Sequence, residues 1–145
     1  MMIKVYGTPV PKGSMKCIGA RGRGKHTLID NKAKLLAVWM PKVQAAAEKL
    51  RDRVGTLAGP VAVATTYTVE RPASVPLKKR VWPVTRSAGD IDKCTRAILD
   101  ALTAGQLLGD DSQVVHVDDW QCYPDTPGVV DRLDRPGVII RIEQL

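Results

Sequence analysis

Between Asp90 and Cys122 the chain changes its hydrophobic period once, and that change limits the folds open to it. From Asp90 to about Leu107, apolar residues recur in steps of three and four. At about 100° per residue, Ile91, Cys94, Ala97, Ile98, Ala101 and Leu102 share one arc of a helix. Asp92, Lys93, Arg96, Asp100 and Thr103 share the opposite arc, and Leu99 stands on that polar side as a candidate subunit contact. After Gly109-Asp110-Asp111, residues 113–122 read as a strand. A helix, a short turn and a strand need a sheet to lie on. Residues 61–69, Val-Ala-Val-Ala-Thr-Thr-Tyr-Thr-Val, are rich in β-branched types and supply its clearest strand.

The remaining segments fit the same plan. Residues 2–7 and 14–18 read as short strands, and Val138 to Ile142 as a closing one. The glycine-rich basic stretch from Gly19 to His26 reads as a loop. From about Asn31 to Arg53 the pattern is helical, through Leu35, Val38, Trp39, Val43, Ala46, Ala47 and Leu50. Pro41 lies inside it and predicts a kink or two shorter helices. Residues 71–83 hold three prolines and a basic run and predict an extended loop, ordered on binding a partner. The expected fold class is α+β: a small mixed β-sheet of four or five short strands packed with two main helices, in one domain over residues 1–145.

Composition narrows the chemistry. Phe is absent and Trp and Tyr number three each, which predicts an aliphatic core. No apolar run approaches the roughly 18–20 residues of a membrane span, and the first residues lack the apolar stretch of a signal peptide, so a cytoplasmic location is expected. Cys17, Cys94 and Cys122 are odd in number and widely spaced, against both a disulfide framework and a zinc site. With only His26 and His116 besides, a bound metal would be held by oxygen, which favours Mg²⁺ or Mn²⁺. Charge is divided along the chain. Residues 1–89 hold 17 Lys and Arg against 4 Asp and Glu, whereas residues 90–145 hold 5 against 11. A basic surface beside an acidic pocket suits an enzyme that grips a polyanion and holds a metal.

Four aspartates stand in two pairs at the ends of the helix-and-turn unit: Asp90 and Asp92, then Asp110 and Asp111. Helix capping, a first-turn acid and a polar turn account for such pairs without any function. Yet the following strand can run back along the helix and bring Asp111 near Asp90 and Asp92. Carboxylates so gathered can hold one or two Mg²⁺ ions, which activate water and neutralise a leaving oxygen in phosphodiester hydrolysis. Lys93 and Arg96 share that face and can bind the scissile phosphate.

Asp90-x-Asp92, Arg96, Asp100-Ala101-Leu102 and Asp110-Asp111-Ser112-Gln113-Val114-Val115 resemble the signature of the RusA-type Holliday junction resolvases, common in phages and prophages. The family pattern runs approximately D-x-D-N-x-x-K, L-D-A-L, D-D-x-Q-V, and the resemblance spans residues 89–115. The N-terminal layout, with Pro11-Lys12-Gly13 and a basic loop, is similar as well. The resemblance implies a Mg²⁺-dependent endonuclease acting as a homodimer on four-way DNA junctions, with Mn²⁺ as a substitute metal. It implies Asp90, Asp92 and Asp111 as metal-binding carboxylates and puts Arg96 at the position of the family's catalytic lysine. Asp110 is expected to support the turn. Lys93 departs from the usual Asn. Arginine keeps the positive charge but does not transfer protons, so the expected role of Arg96, with Lys93 assisting, is electrostatic.

DNA contacts are expected from Lys12, Lys16, Arg21, Arg23 and Lys25, and from Lys78, Lys79, Arg80 and Arg86. Trp82, beside the second basic run, suits base stacking. Gly19 to Thr27 imitates a phosphate-binding P-loop but has His26 where Ser or Thr must hold the metal. His116 reads as an ordinary strand histidine. Of Asp118 and Asp119, successive in a strand, at most one can face the site. Two other readings compete. One is a branched-DNA-binding protein of phage DNA processing or packaging that lost catalysis through Lys93 and Arg96. The other, a D-x-D sugar transferase, has no donor-binding half in so short a chain.

Overall fold

A computed structural model describes residues 1–13 and 33–145 in full, and between them the backbone of two strands. The elements are β1 (Met2–Tyr6), β2 (Met15–Gly19), β3 (His26–Asp30), α1 (Ala33–Val54), β4 (Val61–Thr68), α2 (Ile91–Ala104), a short 3-10 turn (Asp111–Gln113), β5 (Val114–Cys122) and β6 (Gly137–Gln144). Four strands form one sheet in the order β1-β6-β4-β5. Strands β2 and β3 pair separately as an antiparallel hairpin. The main sheet is mixed: β4 lies parallel to β5 and antiparallel to β6, and β6 is antiparallel to β1. This is the expected α+β architecture, with β3 added between the expected loop and first helix, in residues 27–30 to which the sequence assigns no element.

Central strand β4 explains why its sequence alternates. Val61, Val63, Thr65 and Tyr67 are buried, on the side where the two helices pack. The core between sheet and helices gathers Ile3 and Val5 from β1, Val43 and Ala47 from α1, Ile98 and Leu102 from α2, and Val138, Ile140 and Ile142 from β6. Burying a residue such as Ile98 or Leu102 contributes about 1.5–3 kcal/mol. The core is not purely aliphatic: Trp39, Tyr67 and Tyr123 are buried within the molecule. Tyr67 can enter because its hydroxyl finds a partner in Thr95.

Pro41 does not divide the first helix. Helix α1 runs unbroken for 22 residues, and Leu36, Trp39, Val43, Ala47 and Leu50 form one buried seam past the proline. Both Pro41 and Ala37, whose carbonyl loses its hydrogen-bond donor, lie on the exposed side, where water can satisfy that oxygen. The seam also passes through Leu36, 7% exposed, rather than Leu35, which is 57% exposed along with Val38 at 62%.

The stretch between β4 and α2 folds into successive turns rather than an extended loop. Arg71 organises it. Its guanidinium lies 4.1 Å from the Tyr123 ring centre, grips the Asp125 carboxylate through Nε and Nη2, and donates from Nη1 to the carbonyls of Val75 and Arg80. Thr126 adds a bond to the carbonyl of Val81 at 2.8 Å. One side chain thereby holds both ends of the basic run that carries Lys78, Lys79 and Arg80.

Candidate active site

Glycines admit the segments that assemble at the start of α2. Gly89 has φ +81°, and a Cβ there would come within 2.8 Å of Pro11 Cγ. Gly13 has φ +96°, and its Cβ would meet the Arg96 guanidinium at 2.9 Å. Pro11-Lys12-Gly13 therefore lies against the first turns of the helix, where the Lys12 amide donates to the Lys93 carbonyl at 2.9 Å. The Lys12 ammonium makes an ion pair with Asp100 at 2.6 Å.

Asp90 occupies the N-cap position of α2, with extended backbone, but its side chain does not cap the helix. It makes an ion pair with Lys93 at 2.7 Å, and that carboxylate pushes the Lys93 ammonium above its ordinary pKa, holding its proton firmly. Asp92 stands exposed in the first turn, where the helix dipole favours negative charge. At the other end of the unit, Asp110 caps the 3-10 turn. Its carboxylate accepts from the Ser112 amide at 2.9 Å, and hydrogen bonding from the Ser112 hydroxyl first and this amide second draws its pKa below the usual value. Gln113 completes that turn. Its oxygen accepts from the amides of Gly109 and Asp110, and its nitrogen donates to the carbonyls of Leu57 and Gly59. The D-D-x-Q spacing is thus a structural clamp that leaves Asp111 exposed on the turn.

Asp92, Arg96 and Asp111 line one cavity of about 320 Å³ between α2 and β5, together with Thr95, Leu99, Val117 and Asp119. Asp119 contacts the early part of α2 through Thr95, so β5 runs back along the helix, as the sequence predicts. The cavity follows that groove. From Asp92 to Leu99 is about 10 Å of helix rise, with Asp119 near the Asp92 end and Asp111 toward the later turns. Asp90 borders the neighbouring cavity of about 520 Å³, beside Trp82, Arg86 and Gln121. Among the described residues no three His, Cys, Asp or Glu side chains come together closely enough to hold a metal ion as they stand.

The basic residues divide by what they touch. Lys78, Lys79 and Arg86 are exposed, and Arg80 donates to the Val84 carbonyl at 3.0 Å. Trp82 is 40% exposed and meets Trp120 of β5 with ring centres 6.1 Å apart. Lys16 belongs to β2, but its side chain, and all of Arg21, Arg23 and Lys25, lie outside the described residues. Cys94 and Cys122 are buried thiols, not joined in a disulfide.

Two side chains in the cavity escaped the helical-arc and aspartate-pair readings. Thr95 is only 6% exposed, a polar residue on the buried side of α2, and Asp119 is its partner. The signal for Thr95 was its place between Cys94 and Ile98, one turn after Ile91.

Over residues 7–143 the chain matches the family described as endodeoxyribonuclease RusA. The chain belongs to the RusA family. No curated protein is similar enough to count as a match. Membership accounts for the small mixed sheet with two main helices, and it makes a nuclease the general reading of this RusA-family chain. No helix among the described residues is long and apolar enough to cross a membrane.

Proposed function

We propose that this RusA-family protein is a Mg²⁺-dependent endonuclease that cuts four-way and other branched DNA as a homodimer, with one cleavage centre per subunit. The observation that carries the reading is the shared cavity of the α2–β5 groove, which Asp92, Arg96 and Asp111 all line. The donor set fits the metal in kind. Every candidate ligand is a carboxylate, the hard oxygen donor Mg²⁺ and Mn²⁺ prefer, and none of Asp92, Asp111 and Asp119 makes an ion pair among the described residues.

In this reading Asp90, Asp92 and Asp111 hold the metal, with Asp90 drawn from its pairing with Lys93. Bound there, a divalent ion supplies Lewis-acid activation of water and neutralises developing charge. The chain's own residues bind and orient the DNA. Arg96 holds the scissile phosphate as a fixed positive charge, and Lys93, protonated beside Asp90, assists it. Lys12, Lys16, Arg21, Arg23, Lys25, Lys78, Lys79, Arg80 and Arg86 grip phosphates of the junction arms. Trp82 and Trp120 offer their rings to an unpaired base. Homodimerisation, which places two cuts symmetrically, rests on the family.

The test is a labelled four-way junction incubated with Mg²⁺. Asp92→Asn is expected to abolish nicking while the gel shift of the junction persists. Undiminished cutting by that variant overturns the assignment. A wild-type protein that shifts the junction and never nicks it identifies a binder that has lost catalysis.

A further inference from the structure

Strand β5 carries a carboxylate that the RusA-like signature does not include and that the fold aims into the same cavity. Asp119 faces α2, whereas its neighbour Asp118 faces away, toward the opposite side of the sheet. Both oxygens of Asp119 are held by hydroxyls. Thr65 of β4 donates to one, and Thr95 of α2 donates to the other at 2.6 Å. The Thr95 hydroxyl also reaches the Ile91 carbonyl, but at 3.1 Å, the longer of its two acceptor contacts; with its single proton on Asp119 it accepts from the Tyr67 hydroxyl at 3.0 Å. Thr65 and Tyr67 are almost fully or fully buried, so water does not compete with Asp119 for these hydroxyls.

We infer that Asp119 is a further metal-holding carboxylate of this site, aimed by the Tyr67–Thr95 and Thr65 hydroxyls. The inference rests on the proposed metal-dependent reading and deepens it. Thr95 lies one turn from Asp92, so their Cβ atoms are about 5–6 Å apart. Asp119, bonded to Thr95, lines the same cavity as Asp92. Half-burying a carboxylate costs free energy unless a positive charge offsets it. Asp119 makes no ion pair among the described residues, and hydroxyl donors leave each of its oxygens a second lone pair. Carboxylates that ligate a metal are in turn held by hydrogen bonds of this kind. Asp119 then serves beside Asp92, while Asp111 lies farther along the groove.

Mn²⁺ binding to the full chain, read by loss of the free-ion electron paramagnetic resonance signal without DNA, tests this. Asp119→Asn is expected to weaken Mn²⁺ affinity about tenfold or more, the scale for groups that hold or orient ligands. Its metal-free melting temperature should stay close to wild type, because the amide oxygen and nitrogen can still meet both threonines. Thr95→Val should weaken binding as well, and Thr95→Ser, which restores the donor, should recover it. Asp92→Asn serves as the reference. If Asp92→Asn loses Mn²⁺ and Asp119→Asn binds it like wild type, the inference on Asp119 is overturned and the proposed function stands. If neither substitution changes binding, the metal site itself is misplaced and both readings fall. Should Asp119→Asn fail to fold, Asp119→Ser is read against the same reference.

Discussion

Arg96 is the residue on which the chemistry of this site turns, because it keeps the charge of the lysine in the RusA-like pattern and loses its ability to give up a proton. Its guanidinium lies over Gly13, a position where any side chain would collide with it, and it borders the cavity shared by Asp92 and Asp111. A fixed cation in that place can stabilise charge developing on a phosphate without moving a proton. Removing such a donor from a reaction centre lowers turnover by about 100-fold or more. Arg96→Ala is therefore expected to slow junction nicking by about 100-fold, with the gel shift reduced far less. Arg96→Lys should retain most of the rate, since the positive charge remains. Loss of activity in Arg96→Lys equal to that in Arg96→Ala would show that the planar fork, not the charge alone, holds the phosphate.

At the scale of elements, what was legible followed from periodicity. The α2 arc and the β4 alternation read correctly because each element buries one face against the same core. The return of β5 along α2 was legible for the same reason, but Asp111 stands before that strand, so it is Asp119 that the return brings to the early turns of the helix. What periodicity does not encode is which polar residue on a buried face finds a partner. Thr95 and Asp119 meet only because β4 and β5 lie parallel in the register that sets Thr65 opposite Asp119. The separation of Asp90 from the shared cavity has a similar origin: its place at the helix start is local, but its pairing with Lys93 depends on side-chain geometry. Strand β3 was hidden by the glycine-rich basic segment before it. Helix α1 shows the opposite error, a local rule overridden by packing, because its buried seam continues past Pro41. The proline still removes one helix hydrogen bond. Since Pro41 is exposed, Pro41→Ala gives up no core contact and is expected to raise stability by about 1–3 kcal/mol. Urea unfolding checks this: the midpoint should rise with the slope unchanged. An unmoved midpoint would show that the helix accommodates the ring without loss.

Across the whole molecule the unequal charge of the two halves finds a structural expression. The acidic half contributes α2, the 3-10 turn and β5, and so builds the cavity walls; the basic half contributes α1 and the turns around Lys78 and Lys79. Arg71 fixes those turns through Asp125 and Tyr123, so Lys78 and Lys79 project from a folded base rather than from a floppy strap. A cation held in this way binds a phosphate by releasing counterions, a contribution that depends on salt and little on sequence. Each phosphate contact adds about 0.9 to the slope of log affinity against log salt on duplex arms. Lys79→Ala should therefore lower that slope by about 0.9 and weaken binding to junctions of unrelated sequence alike. Arg132 offers the contrast. It comes from the acidic half and its guanidinium is turned onto the Thr126 carbonyl, so Arg132→Ala should leave the slope unchanged. Fluorescence anisotropy of a labelled junction across a salt series, without metal so that no cutting intervenes, reads both variants. Equal slopes for wild type and Lys79→Ala would move the DNA-binding face away from these turns and onto the basic surface of α1, where Lys42, Lys49 and Arg53 border a cavity beside β1.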